Sequence, residues 1–161
     1  MSRTLLAVDV GNTHTVLGFY EDQRLCATCR LSTGILRTTD ELFFPFKQCF
    51  QEITSSDCPV DGCIVASVVP VLDAAVKGAL HRLTGADILM VATGLELGLT
   101  VGYDRPGDVG ADRLANAVAA VHHYGAPVIV VDFGTAITFC LVDKSRTYLG
   151  GAIAPGIGLS L

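Results

Sequence analysis

Read for the spacing of apolar and polar positions, the chain opens as a strand: Leu5-Leu6-Ala7-Val8 runs into Asp9 and a polar Gly11-Asn12-Thr13 turn. Thr15 to Tyr20 predicts a second strand, Glu21-Asp22-Gln23 a hairpin turn and Leu25 to Leu31 a third strand, and so short a link requires antiparallel pairing. Thr38-Thr39-Asp40-Glu41 has the spacing of a capping box and predicts a helix to about Glu52, kinked at Pro45, with Phe43, Phe44, Phe46 and Phe50 in the core or an interface. Gly62 to Ser67 reads as a buried strand. Val68-Val69-Pro70 turns it into a helix to about Leu83, Gly85 stops that helix, and Ile88 to Val91 forms another strand. Strand, helix, strand is the order of a parallel crossover unit. Leu95 to Gly110 is loop-like. A helix follows from about Asp112 to Tyr124, ended by Gly125 and Pro127, with Leu114, Ala115, Val118 and Val121 as its apolar face. His122 and His123 in its last turn are read as surface residues favoured by the helix dipole. Val128 to Asp132, Ile137 to Val142 and a stretch from Tyr148 onward complete the strands, with Asp143-Lys144-Ser145-Arg146 as a hairpin turn.

Two of these strands end alike. Ala7 to Thr15 overlays Val130 to Thr138 without a gap, sharing a valine, Asp9 with Asp132, Gly11 with Gly134, and Thr15 with Thr138. The pattern predicts a duplicated unit whose second copy has its hairpin strands but lacks the helices that follow them in the first, a domain cut short. In open α/β sheets ligands bind at the carboxyl ends of strands. Glycine lets backbone N-H groups approach an anion, hydroxyls and amides donate to phosphate oxygens, and a carboxylate holds a cation or its water. Two such turns can grip one polyphosphate; singly, each is also an ordinary strand-terminating turn. Neither G-x-x-x-x-G-K-[ST] nor G-x-G-x-x-G occurs, and Lys47, Lys77 and Lys144 are not set in glycine-rich turns. Phosphate binding therefore rests on the paired turns with a metal neutralising charge.

The junction Gly107-Asp108-Val109-Gly110-Ala111-Asp112-Arg113 supplies an acceptor site. Asp112 at a helix N-terminus can take a hydroxyl proton, and the Arg113 fork can hold a carboxylate or phosphate. The alternative is that Asp112 only caps the helix and Arg113 pairs with a surface acid.

At 161 residues, half of them apolar, the chain can bury a sizeable core. A net charge of -5 with eleven Lys plus Arg and no basic stripe excludes a nucleic-acid surface. No apolar run suits a signal peptide or a bilayer span, so no membrane role and a cytoplasmic protein are expected. The six cysteines are read as reduced core or surface thiols, because Cys26-x-x-Cys29 has no second pair or histidine cluster to complete a zinc site.

Asp9-Val10-Gly11-Asn12-Thr13, Ser67-Val68-Val69-Pro70, Tyr103 with Gly107 and Gly110-Ala111-Asp112-Arg113, Asp132-Phe133-Gly134-Thr135-Ala136 and Gly150-Gly151-Ala152-Ile153-Ala154-Pro155-Gly156 occur in this order. Together they resemble the type III pantothenate kinases, a branch of the acetate and sugar kinase, Hsp70 and actin superfamily. The resemblance implies an α/β fold of duplicated ribonuclease-H-like (actin-like ATPase) domains, each a mixed sheet with flanking helices. The first domain would span residues 1–110 and an incomplete second one residues 111–161. It implies ATP-dependent phosphorylation of the primary hydroxyl of pantothenate, the first step towards coenzyme A. Asp9, Val10, Gly11, Asn12, Thr13, His14, Thr15 and Val16 would surround the ATP phosphates and Mg²⁺, and Thr135 would bind ATP. Asp112 would be the proton acceptor, and Tyr103, Gly110, Ala111, Asp112 and Arg113 would contact pantothenate. Asp132 would coordinate K⁺ or NH4⁺. A homodimer is implied, as is a threonine of the pantothenate site further along the chain. Other readings are a different kinase or polyphosphate phosphatase of the superfamily, or a truncated non-catalytic nucleotide-binding or accessory protein.

Overall fold

Alternation along Thr4–Val10 turns Leu6, Val8 and Val10 to one side, and burying that side organises the first half of the chain. In the computed structural model, which describes residues 3–34, 36–54 and 59–159, this strand is β1. β2 (His14–Glu21) and β3 (Arg24–Ser32) follow as antiparallel hairpin partners. Then come α1 (Thr39–Ile53), β4 (Gly62–Ser67), α2 (Asp73–Thr84) and β5 (Ile88–Met90), with β4 parallel to both β1 and β5. The sheet order is β3-β2-β1-β4-β5, so the expected hairpins and crossover unit are both present.

One face of this sheet, with Leu6, Val8, Val10, Leu17, Phe19 and Val65, packs against Phe43, Phe46 and Phe50 of α1 and Val76 and Leu80 of α2. The capping box forms: Thr38 Oγ1 accepts from the Glu41 N-H at 3.3 Å, and the Thr38 N-H donates to Glu41 Oε2 at 2.8 Å. α1 then runs through Pro45 without a break. Gly85, at φ +68, caps α2 by donating to His81 O. Phe44 lies outside the core and is 65% exposed, so of the two expected places, core or interface, the structure excludes the first for it. Its ring meets Phe43 edge-on, and the Arg82 guanidinium, bonded to Asp40, lies 3.9 Å from the Phe43 ring centre, with Lys47 Nζ at 6.0 Å.

The cysteines need a correction. Cys29 of β3 and Cys49 of α1 are joined in a disulfide, their Cα atoms 5.8 Å apart, because β3 turns Cys29 towards the buried face of α1. Cys26 is an exposed thiol and Cys63 and Cys140 are buried ones; Cys58 lies outside the described residues. Burial pushes the Cys63 thiol up to about 12.

Residues 1–90 form one compact unit and residues 91–161 a second. Residues 91–110, assigned above to the first domain, supply β6 (Thr100–Val101) to the second sheet, and Val91, Leu97 and Leu99 pack on its core. α3 (Ala111–Tyr124), β7 (Val128–Phe133), β8 (Ala136–Val142) and β9 (Thr147–Pro155) complete the unit. The order is β6-β9-β8-β7, with β6 parallel to β9 and the other pairs antiparallel. α3 buries Ala111, Leu114, Ala117 and Val121 against Cys140, Val142 and Tyr148, with Val128 and Val130 alongside. The buried stripe is therefore rotated from the expected one, with Ala117 at its centre and Ala115 and Val118 flanking it. His122 and His123 are exposed, as expected. The β8–β9 turn is held by Asp143, whose Oδ1 accepts from the Ser145 and Thr147 N-H groups.

The two strand-end turns are not equivalent in register. Asp9 lies opposite Val16, whereas Asp132 lies opposite Thr138, so the second turn is one residue shorter and the gapless overlay slips beyond it. Thr15 and Thr138 thus hold different places. Thr15 pairs with Val10 on the buried face, and Thr138 pairs with Asp132.

Candidate active site

In the first unit the candidate residues gather where β1 hands over to β2. Gly11 donates its N-H to His14 O at 3.0 Å, and a Cβ on Gly11 would sit 3.1 Å from that oxygen, which is why the tight return suits glycine. β3 braces the turn from outside through the Thr33 N-H, which donates to Thr13 O at 2.9 Å. β4 braces it from the other side, with the Val68 N-H donating to Val10 O at 3.0 Å and Ser67 Oγ accepting from the Val69 N-H. The eight predicted residues then divide. Asn12, Thr13 and His14 are exposed and Asp9 lies on the sheet face opposite α1 and α2. Val10 and Thr15 are buried, and the Thr15 hydroxyl shares a 2.8 Å hydrogen bond with that of Thr33. What Val10 and Thr15 can offer an anion is backbone.

In the second unit the acceptor motif opens α3, with Gly110 as N-cap, Ala111 buried and Asp112 in the first turn. Asp112 Oδ1 accepts from the Arg113 N-H at 2.7 Å, which satisfies one of the otherwise free N-H groups of the first turn. Arg113 makes no ion pair among the described residues. Its Nη2 is enclosed without a hydrogen-bond partner. Its guanidinium acts on the Tyr148 phenol through its charge and through a side-chain hydrogen bond, and that phenol is fully buried and donates to Cys140 Sγ at 3.4 Å. Burial first, and then the Cys140 thiol, push that phenol up to about 12, with Arg113 pulling the other way.

One turn beyond Asp112, Asn116 donates from Nδ2 to Asp132 Oδ2 at 3.1 Å. This bond ties the helix that carries Asp112 and Arg113 to the strand end that carries Asp132. Asn116 was not among the residues expected from sequence; its i+4 relation to Asp112 on a helix was the available signal. The β7–β8 turn closes through the Gly134 N-H to Ala136 O at 3.0 Å and leaves Thr135 exposed. Tyr103 is 43% exposed and its ring lies on β9 over Gly150. Asn116 thus links the helix that carries Asp112 and Arg113 to Asp132.

Among the described residues no group of three or more His, Cys, Asp or Glu could cage a metal. A hard cation that keeps several waters and takes one or two carboxylates plus phosphate oxygens does not need such a cage, and a single exposed carboxylate, Asp9 in the first unit or Asp132 in the second, is the kind of donor such an ion takes.

A profile of the type III pantothenate kinases matches residues 5–161. The chain belongs to this family. It is 46% identical over 156 residues to the type III pantothenate kinase of Brevibacillus brevis, covering 97% of this chain and 61% of that protein. The enzymes of Halalkalibacterium halodurans and Listeria monocytogenes are 42% and 44% identical, with 61% and 60% of their lengths covered. The chain therefore spans about three fifths of the curated relatives it matches. Among solved structures it resembles the Aquifex aeolicus member of the Ppx/GppA family, with TM-score 0.53, 14% identity and coverage of 98% of this chain and 53% of that one. It also resembles the ethanolamine utilization protein EutJ of Carboxydothermus hydrogenoformans, with TM-score 0.52, 14% identity and coverage of 94% and 51%. At such identities the likeness concerns the fold, which is the α/β, actin-like one expected. No helix among the described residues is long and apolar enough to cross a membrane.

Proposed function

We propose that the protein carrying this chain transfers the γ-phosphoryl group of ATP to the primary hydroxyl of pantothenate, the entry step to coenzyme A. The observation that carries this reading is the Asn116–Asp132 hydrogen bond, which couples the α3 residues suited to the acceptor with a strand-end turn suited to phosphate. In this reading Asp112 takes the hydroxyl proton as the oxygen bonds to the γ-phosphorus and the bond to the β-phosphate bridging oxygen breaks. A carboxylate is a weak base, but in a loose transition state positioning and charge stabilisation carry most of the rate. Arg113, in the first turn of α3 beside Asp112, has the planar fork of donors suited to the pantothenate carboxylate. Tyr103 and the Gly110–Ala111 backbone would line the same acceptor. Asp9 to Val16 and Thr135 would receive the nucleotide, with Asp9 holding Mg²⁺ and Asp132 holding K⁺ or NH4⁺. These ions, when bound, neutralise phosphate charge. The reading includes a cytoplasmic homodimer.

The test is Asp112→Asn in the full natural polypeptide. Turnover should fall on the order of a hundredfold or more while pantothenate still binds; wild-type turnover in that variant would remove Asp112 from its role. The exposed polar side chains of the first strand-end turn, Asn12, Thr13 and His14, would equally serve one second reading, a nucleotide-binding protein without turnover. ATP binding by calorimetry with no phosphoryl transfer in a sensitive assay would select it.

A further inference from the structure

β9 and the residue just past its end lie behind two of the groups just assigned, and each place is held by a glycine. Towards its beginning, the ring of Tyr103 lies where a side chain on residue 150 would be. A Cβ on Gly150 would stand 2.9 Å and 3.0 Å from Cδ2 and Cε2 of that ring, and the residue has φ +110. The backbone leading to Tyr103 is fixed to the same strand, through the Thr100 N-H to Arg146 O at 3.0 Å and the Gly102 N-H to Tyr148 O at 2.9 Å. The ring is therefore seated on bare backbone.

Just past the end of β9, Gly156 is buried against the β7–β8 turn. A Cβ there would stand 2.3 Å from Thr135 O, 2.6 Å from Gly134 O and 2.7 Å from Thr135 C. These are backbone atoms and cannot swing aside as a ring can, and Pro155 is paired with Ala136 immediately before. A methyl group at 156 must displace the turn that carries Thr135. Gly151 is different, because its Cβ would strike Phe139 O inside the sheet, a demand of the fold that touches neither group. Gly158 has open space around it.

We infer that Gly150 and Gly156 are positioning residues, the first seating Tyr103 for the acceptor and the second seating the Gly134–Thr135 turn for the nucleotide. One strand and the residue just past its end then set the places of both ligand contacts. The inference rests on the kinase reading above. It goes beyond that reading by predicting that two glycines, one in β9 and one just past its end, affect different substrates.

The experiment compares Gly150→Ala, Gly156→Ala, Gly158→Ala, Tyr103→Ala and the Tyr103→Ala/Gly150→Ala pair in the full natural polypeptide. Steady-state kinetics are run with each substrate varied in turn, alongside thermal melting. Gly156→Ala should raise the KM for ATP roughly tenfold or more and leave that for pantothenate within about twofold. Gly150→Ala should do the reverse; the strain of a side chain at φ +110 should lower the melting temperature in both backgrounds, while its effect on the pantothenate KM should vanish once Tyr103 is alanine. Gly158→Ala should match the unsubstituted protein. Equal rises in both KM values, or a Gly150 effect undiminished in the Tyr103→Ala background, would overturn the assignment. A Gly156→Ala chain that does not fold would overturn it for Gly156, leaving a structural role only. An unsubstituted protein that does not phosphorylate pantothenate would sink the kinase reading and this inference with it. That result differs from an active protein whose variants show no split.

Discussion

Replacing Tyr148 with phenylalanine tests the interior on which Arg113 leans. Tyr148 is fully buried and its hydroxyl donates to Cys140 Sγ, a weak acceptor. The substitution keeps the ring, so no large cavity opens, and the loss at neutral pH should be about 1 kcal/mol. Tyr148→Ala, which empties the site, should cost about 3–5 kcal/mol. The phenol also has a pH signature. Its folded value is raised from 10 to about 12, so the folded state keeps it neutral to higher pH than the unfolded chain does. That contribution is complete below pH 10 and is lost as pH climbs towards 12, by on the order of 1 kcal/mol midway. Phenylalanine has no proton to lose. Urea melts of the two proteins at steps from neutral to strongly alkaline pH should therefore converge above about pH 10 and cross near pH 11. The absorbance of tyrosinate should report a late-ionising group in the unsubstituted protein alone. Stability curves that stay parallel across that range would refute the claim that burial holds this phenol neutral.

Asn116→Leu removes the donor to Asp132 and should lower turnover about fivefold while raising the K⁺ needed for half-maximal activity, read by titrating the salt. Leu114→Ala truncates a fully buried side chain under α3 and should cost about 2–5 kcal/mol in a denaturant melt. The Asp61 carboxylate is held below its ordinary value by the Thr4 backbone N-H, at 2.7 Å, and then by the Thr4 hydroxyl. Its contribution is present above the ordinary carboxylate range and lost as pH falls through the lowered value, so Asp61→Asn should flatten the acid side of the stability curve.

Local rules made much of the fold legible. The capping box at Thr38 and Glu41, the stop at Gly85 and the two hairpins follow from chemistry confined to a few neighbouring residues. The motif at Gly110 to Arg113 fell at a helix start for the same reason. What escaped depends on packing between elements distant in sequence. A helical period allows the α3 stripe to centre on Ala115 or on Ala117, and only the sheet beneath selects Ala117. Phe44 looks like Phe43 and Phe46 in composition but falls on the outward side of α1. The Cys29–Cys49 bond and the Asn116–Asp132 bond join residues 20 and 16 positions apart on different elements, which no spacing rule announces.

The duplicated turn shows how side-chain parity separates two copies of one motif. In β1 the residues under the helices are Leu6, Val8 and Val10, so Asp9 falls on the opposite face and the helices α1 and α2 cannot reach it. In β7 the residues facing α3 are Val128 and Val130, and Asp132, two positions further along, shares their face. The aspartate can therefore be met by Asn116 from the helix that also carries Asp112 and Arg113. A strand has a period of two, so moving the helical layer from one face to the other exchanges which residues are covered without changing the motif. The first turn is left with backbone donors, exposed polar side chains and one carboxylate, a set suited to polyphosphate and its cation. The second gains a helix N-terminus with an acid and an arginine, the groups an acceptor alcohol requires.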